Sequence, residues 1–172
     1  FETGLKTVKT ELNELVETLN LLVKKYTDRK SLVGNEQELD LKNSVNQVIR
    51  KFSAQLNQKD LKFEISGNRR ITANPNLVRT ILKNLIENAI KYSQQGSLIK
   101  INIEKHGISI KNRVAQKFLQ NESTELLGRG LKSKNSDGLG VGLAIVDELC
   151  GEMEWDLNVT KKKKSFEVSI KF

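Results

Sequence analysis

One face of a predicted helix carries three polar side chains that could hold phosphate and a divalent cation. Asn84, Asn88 and Lys91 follow one another at spacings of four and three residues. At about 100° per residue, this spacing places them on one narrow strip of an α-helix. Amide oxygens can coordinate Mg²⁺, and an ammonium group neutralises phosphate oxygens. The alternative is the solvated edge of an ordinary helix, and the strip alone does not decide between the two.

A second candidate site is the stretch DGLGVGLAIV, in which Gly138, Gly140 and Gly142 alternate with larger residues. Alternate glycines let backbone N–H groups approach an anion without interference from Cβ atoms. The helix predicted to follow adds the positive end of its dipole. The alternative is a turn that allows close helix packing. A Walker A loop is excluded, because no Gly-Lys-Ser/Thr follows.

Hydrophobic periodicity predicts the elements that position these residues. Apolar residues at helical spacing predict three helices, in LDLKNSVNQVIRKFSAQLNQK, NPNLVRTILKNLIENAIKYS and VGLAIVDELC. Asn74 and Pro75 are typical of the start of the second helix, and Gly151 of the end of the third. Alternating residues predict strands in LKFEIS, SLIKINIEKHGISIKN, EWDLNVT and SFEVSIKF. The predicted fold class is α+β, a two-layer sandwich of a mixed sheet with about three helices on one face.

The N-terminal segment has a different pattern from the rest of the chain. Apolar residues there are spaced alternately by three and four, at Leu5, Val8, Leu12, Leu15, Leu19, Leu22 and Tyr26. This heptad pattern predicts a long N-terminal helix that packs against a partner helix in a hairpin or four-helix bundle. We therefore expect a helix in residues 1–30, a linker in 31–38 and a compact domain in 39–172. Residues 113–137 have no clear period and could form a lid.

Composition excludes several classes of protein. The net charge is +8, but the basic residues are dispersed and the few aromatic residues do not alternate with them, which argues against nucleic-acid binding. No apolar run reaches the roughly 18 residues of a membrane span, and the charged residues near the N-terminus are not typical of a signal peptide. The single cysteine, Cys150, fits a reducing compartment and a packing role.

The two candidate sites together resemble a known family. NLIENAIKYS resembles the N box, and DGLGVGLAIV the second glycine box, of the ATP-binding domain of sensor histidine kinases. This domain has the Bergerat fold, which Hsp90, gyrase B and MutL share. The resemblance covers about residues 39–172. The heptad helix is similar to the second helix of the dimerisation and histidine-phosphotransfer hairpin, which distinguishes histidine kinases from the other members of the superfamily.

The resemblance implies an ATP site with Mg²⁺. Asn88 would bind the Mg²⁺ that bridges the phosphates, and Asn84 would support it. Lys91 would reach the phosphates, and Tyr92 would line the nucleotide. Residues of the glycine box and lid would meet the triphosphate or neutralise its charge, namely Gly138, Gly140, Gly142, Arg129, Lys132 and Lys134.

The chain departs from the family pattern at two places. Asn112 stands where the adenine-reading aspartate belongs, and Arg113, Val114 and Ala115 replace a glycine-rich turn. The amide oxygen of Asn112 could still accept a hydrogen bond from the adenine amino group. The only histidine, His106, lies in a predicted hairpin turn. The phosphoacceptor histidine would therefore lie on a helix that precedes this chain in a longer parent protein.

The resemblance implies the ATP-binding catalytic part of a two-component sensor histidine kinase, a phosphotransferase. The parent would pass the γ-phosphoryl group of ATP to its own histidine and then to the receiver domain of a response regulator. It would form a homodimer through the N-terminal helix. This part would be cytoplasmic, with any membrane contact made by other parts of the parent. One alternative is a signalling scaffold that binds nucleotide weakly or not at all. Another is a serine kinase of the anti-sigma type.

Overall fold

The computed structural model describes residues 35–115, 140–162 and 164–172. The chain divides into two compact units, Phe1–Glu36 and Gln37–Phe172. The fold below is that of the second unit. The long helix predicted for residues 1–30 and most of the predicted lid lie outside the described residues.

The second unit contains seven strands and four helices among its described residues. In chain order they are β1 (Gln37–Asp40), α1 (Leu41–Arg50), α2 (Ser53–Lys59), β2 (Lys62–Ser66), β3 (Arg70–Ala73), α3 (Pro75–Tyr92), β4 (Leu98–Glu104), β5 (Gly107–Arg113), α4 (Gly140–Glu152), β6 (Asp156–Lys162) and β7 (Ser165–Lys171).

The main sheet has five strands in the order β2-β4-β5-β7-β6. Strand β2 runs parallel to β4, and the other neighbours are antiparallel. Strands β1 and β3 form a separate antiparallel pair. Alternate residues of the central strands are buried, among them Ile99, Ile101 and Ile103 of β4. A mixed sheet with one face buried confirms the predicted α+β class.

Helix α3 begins and ends at identifiable contacts. The side chain of Asn74 accepts a hydrogen bond from the backbone N–H of Asn76 at 3.0 Å, and Pro75 occupies the first position, as predicted. Nine of its residues are buried, mostly leucine and isoleucine, and they fasten the helix to the core. Each fully buried side chain of this size contributes about 1.5–3 kcal/mol. The helix is thus a rigid platform for its polar strip.

Helix α1 has a side-chain cap that the sequence analysis did not identify. The carboxylate of Asp40 accepts hydrogen bonds from the backbone N–H of Asn43 at 2.8 Å and from the Asn68 amide at 2.9 Å. The Asn68 hydrogen bond, followed by the Asn43 one, lowers the pKa of Asp40 from its ordinary value. Both donors favour the ionised form of the carboxylate. Since one of them is the side chain of Asn68, the cap also ties the start of α1 to the turn before β3.

Three details of the predicted elements were wrong. The single helix predicted across residues 39–59 is broken into α1 and α2, because Phe52 leaves helical geometry and becomes buried in the core. Strands β1 and β3 were missed, since four residues are too few for a reliable alternation. Helix α4 continues past Gly151 to Glu152, and the residue with positive φ (56°) that follows it is Glu154.

The turn after β2 depends on a glycine. Gly67 has a φ of +75°, and a Cβ atom at this position would collide with the backbone carbonyl oxygen of Ile103 in β4. We expect Gly67→Ala to lower the free energy of unfolding by at least about 3 kcal/mol, because left-handed strain and a backbone clash add together. Urea unfolding monitored by the fluorescence of Trp155, the single tryptophan, would measure this loss.

Gly96 provides the matched control for this prediction. Its φ is +72°, but a Cβ atom there would meet only the Asp60 carboxylate at 3.9 Å. Gly96→Ala should therefore cost only the conformational strain, about 1–2 kcal/mol. Equal losses in the two variants would show that the Ile103 carbonyl does not restrict residue 67.

Candidate functional site

The structure brings the polar strip of α3 against the first turn of α4. Asn84 and Asn88 are half-buried on α3. A Cβ atom on Gly142 would lie 3.3 Å from Oδ1 of Asn84 and 3.3 Å from Nδ2 of Asn88. Any side chain at residue 142 would therefore press on both carboxamides. The glycine allows the start of α4 to approach the two amides closely, and this contact joins the two candidate sites of the sequence.

The two amides have different hydrogen bonds. Nδ2 of Asn84 donates to the backbone carbonyl of Thr80 at 2.9 Å, one turn earlier in α3. This bond fixes the orientation of the carboxamide and leaves Oδ1 on the side of Gly142. Nδ2 of Asn88 is buried and has no hydrogen-bond partner within the described part of the chain. Burying an amide N–H without a hydrogen-bond partner costs about 1–3 kcal/mol of folding free energy. A further polar group that accepts from Asn88 would remove this cost.

A carboxamide can present either of its ends to a ligand. A half-turn about the last side-chain bond exchanges the N–H₂ group and the oxygen. Asn88 can therefore offer Oδ1 to a cation or N–H to an anion from the same position. Carboxamide oxygen is a ligand that Mg²⁺ accepts alongside phosphate and water. The residues at this contact thus fit a bound magnesium–phosphate group.

The C-terminal end of α3 is held by a lysine that the sequence analysis missed. Nζ of Lys59 donates to the backbone carbonyls of Ile90 and Lys91, both at 2.8 Å. A cation at this position also stabilises the negative end of the helix dipole. No spacing rule could have identified Lys59, because the contact joins residues about thirty positions apart. It fixes the backbone from which Lys91 and Tyr92 extend.

Lys91 and Tyr92 lie next to each other at this end of the helix. Lys91 is exposed, and its Nζ lies 5.4 Å from the centroid of the Tyr92 ring, a distance that permits a cation–π interaction. Tyr92 is buried, with 5% of its surface exposed. The backbone N–H of Ala115 donates to the carbonyl of Tyr92 at 3.0 Å. The end of strand β5 is therefore fastened to the end of α3.

Asn112 lies on the same strand, three residues before Ala115. Only 3% of its surface is exposed, and it occupies the buried face of β5 together with Ile108 and Ile110. Its Nδ2, like that of Asn88, is buried without a hydrogen-bond partner in the described residues. The described structure therefore has two side-chain amides with an unsatisfied Nδ2, Asn88 on α3 and Asn112 on the strand fastened to the end of α3.

Of the remaining predicted site residues, the structure describes only Gly140, which is the first residue of α4. Gly138, Arg129, Lys132 and Lys134 lie outside the described residues, so the predicted contacts of the lid stay predictions.

Cys150 is buried and is not part of this site. Burial and the nearby Asp147 raise the pKa of its thiol to about 12, so the sulfur stays protonated and packs as a small apolar group.

The ranges covered by the structure contain no cluster of three or more histidine, cysteine, aspartate or glutamate side chains suited to a metal. In the same ranges, no helix has the length and apolar character needed to cross a membrane.

A cleft of about 740 Å³ lies elsewhere, between α1, the β1–β3 pair and the start of α3. Its lining mixes acidic and basic side chains, among them Asp40, Arg50, Arg70 and Arg79. Its lining includes none of the predicted site residues that the structure describes. The unsatisfied side-chain N–H groups of Asn88 and Asn112, rather than this cleft, therefore mark the candidate site.

Comparisons with known proteins identify the family. Residues 73–172 match the family described as histidine kinase-, DNA gyrase B-, and HSP90-like ATPase. The chain is 26% identical over 132 residues to the sensor protein CopS of Pseudomonas syringae pv. tomato, covering 76% of this chain and 26% of CopS. It is 28% identical over 138 residues to the sensor-like histidine kinase SenX3 of Mycobacterium tuberculosis, covering 74% of this chain and 34% of SenX3.

A solved structure shows the same fold. The Acinetobacter baumannii histidine kinase AdeS superposes with a TM-score of 0.68 at 24% identity, covering 100% of this chain and 82% of that one. The family match extends over more than half of the sequence and includes α3, β5 and α4. The chain therefore belongs to the family of histidine kinase-, DNA gyrase B- and HSP90-like ATPases. The resemblance predicted from the sequence is confirmed, and the chain spans about a quarter to a third of the length of the curated relatives it matches.

Proposed function

We propose that residues 39–172 are the ATP-binding catalytic domain of a bacterial two-component sensor histidine kinase. The domain would supply the γ-phosphoryl group of ATP to a histidine outside this chain, for relay to a response regulator. One observation carries the proposal. Gly142 brings the start of α4 onto Asn84 and Asn88, where the Asn88 amide is buried and unsatisfied.

In this proposal each site residue has a physical task. Asn88 would hold the Mg²⁺ through its Oδ1, and the cation would offset the charge of the phosphate oxygens. Asn84, held by its bond to Thr80, keeps the neighbouring wall of the site in place. Lys91 extends from the clamped end of α3 to the phosphates, and Tyr92 lines the nucleotide. Such positioning and charge stabilisation account for most of phosphoryl-transfer catalysis.

The glycine box and lid complete the proposed site. Gly138, Gly140 and Gly142 would let backbone N–H groups approach the triphosphate, aided by the dipole at the start of α4. Arg129 and Lys132 would neutralise phosphate charge. The reaction would need the acceptor imidazole to reach the γ-phosphoryl group.

The wider context is proposed from the relatives. CopS and SenX3 are a sensor protein and a sensor-like histidine kinase. Residues 1–30 would be the second helix of a dimerisation and phosphotransfer hairpin, and 31–38 a linker. The parent would be a homodimer whose partner is a receiver domain. The ATP-binding part would work in the cytoplasm.

A calorimetric titration tests the proposed site directly. We expect this chain to bind ADP and a non-hydrolysable ATP analogue with micromolar to sub-millimolar affinity, and the analogue more tightly when Mg²⁺ is present. Radiolabel transfer from ATP, after a histidine-bearing helix has been joined ahead of residue 1, tests the kinase reaction. Folded protein that binds neither nucleotide would contradict the proposal.

A second candidate function is favoured by the base-reading position. Asn112 lacks the charge of the aspartate that the resemblance implies there, and Arg113, Val114 and Ala115 replace the glycine-rich turn. A scaffold that docks a partner without using ATP would tolerate both changes. Absence of nucleotide binding, combined with signalling output that survives Asn88→Ala in the parent, would favour this scaffold.

A further inference from the structure

We infer that Asn112 allows the nucleotide site to bind 6-oxopurine as well as 6-aminopurine nucleotides with similar affinity. The inference rests on the proposed function, because it concerns the base-binding end of the same site. It concerns which purine base the site takes, a choice that the side chain at residue 112 controls.

The first step is the unsatisfied donor on Asn112. The side chain has 3% of its surface exposed, and its Nδ2 has no hydrogen-bond partner in the described structure. A buried N–H group of this kind favours a ligand that brings a hydrogen-bond acceptor to it. An aspartate at the same position would have no N–H to satisfy.

The second step is the rigidity of the backbone around Asn112. Strand β5 is central in the sheet, and Asn112 is aligned with Phe166 of β7. Just beyond it, Val114 donates to the carbonyl of Lys164 at 3.0 Å, and Ala115 donates to that of Tyr92 at 3.0 Å. The strand cannot easily withdraw the side chain. Adaptation to a ligand is therefore left to rotation of the carboxamide.

The third step is the chemistry of the two bases. Adenine carries a 6-amino donor, whereas guanine and hypoxanthine carry a 6-oxo acceptor. An ionised carboxylate only accepts hydrogen bonds, so at position 6 it accepts from the amino group of adenine and repels the oxo oxygen, and its one match to a 6-oxopurine is N1–H. A carboxamide can do both. Oδ1 of Asn112 can accept from the 6-amino group while Nδ2 donates to N1. After a half-turn, Nδ2 donates to the 6-oxo oxygen while Oδ1 accepts from N1–H.

The charges of the neighbouring residues do not restore the selectivity. Of the two residues beside Asn112 in β5, Lys111 is paired with the carboxylate of Glu167 at 3.6 Å, and Arg113 is exposed. Both side chains are cationic and lie on the opposite face of β5 from Asn112, so neither repels a 6-oxo oxygen. Residue 112 itself therefore brings no negative charge that would exclude a 6-oxopurine.

The test compares ADP with IDP by calorimetric titration of the whole chain. The two nucleotides share the sugar and diphosphate and differ at position 6 and in the proton on N1. We expect their dissociation constants to agree within about 5-fold, since each base makes two hydrogen bonds to the carboxamide. In Asn112→Asp, IDP should bind at least about 20-fold more weakly than ADP, because the carboxylate faces the 6-oxo oxygen.

Asn158→Asp is the matched control, because it makes the same change at an exposed position of β6 and should leave the ADP-to-IDP ratio unaltered. If the wild-type chain binds ADP but binds IDP more than about 5-fold more weakly, the inference is overturned while the proposed ATP site stands. If folded protein binds neither, both fail together. Should Asn112→Asp not fold, the wild-type ratio alone decides the outcome.

Discussion

Replacing Asn88 with alanine should weaken binding of the Mg²⁺ complex of an ATP analogue by at least about 30-fold, because a cation ligand is removed. Binding of the analogue without Mg²⁺ should change by less than about 3-fold, since the base and sugar contacts remain. Calorimetric titration of both variants, with and without Mg²⁺, measures the two effects. The variant should stay folded, because the amide it loses has no partner in the described structure.

The control for Asn88→Ala is Asn57→Ala, which removes the same amide from an exposed position of α2. It should leave the affinity unchanged with and without Mg²⁺. Equal weakening of the two Asn88→Ala titrations would assign Asn88 to general packing rather than to the cation. No weakening in either would remove Asn88 from the site.

Gly142→Val should abolish nucleotide binding, with a loss of about 100-fold or more. Even the first carbon of a side chain would lie 3.3 Å from Oδ1 of Asn84 and from Nδ2 of Asn88, and the branches of valine would reach further into the site. The smaller change Gly142→Ala should cost about 10-fold, because both carboxamides must shift by only a few tenths of an ångström. Titration with ADP in the presence of Mg²⁺ measures both losses.

Gly151→Ala separates this effect from a general change in α4. A Cβ atom at Gly151 would meet nothing within 4 Å, and the residue lies in the same helix. Alanine should leave the affinity unchanged and raise the free energy of unfolding by about 0.5–1 kcal/mol through helix propensity. If Gly142→Ala binds ADP as well as the wild type does, the α3–α4 contact is not part of the nucleotide site.

Local patterns in the sequence were sufficient to predict most elements. Helix α3 was predicted from its cap to its last turn, because Asn74, Pro75 and the apolar spacing are all local signals. The five strands of the main sheet alternate clearly enough to be recognised. The break at Phe52 was missed, since only the core into which that ring turns makes the helix stop there.

The candidate site was predictable in part. Asn84 and Asn88 are one turn apart on a helix, so their common face follows from helix geometry alone. The pairing of this face with Gly142 was suggested by resemblance rather than by physics. Nothing local to residue 142 indicates that its missing side chain makes room for two amides about fifty residues earlier.

The sequence by itself determined the class of fold, the polar strip of α3 and the exclusion of a Walker A loop, because each depends on residues close together in the chain. Only the tertiary structure decided that Gly142 lies on Asn84 and Asn88, that Lys59 clamps the end of α3, and that the amide of Asn112 is buried and unsatisfied. These contacts join segments separated by tens of residues. Their formation depends on how sheet and helices pack together, which no single segment encodes.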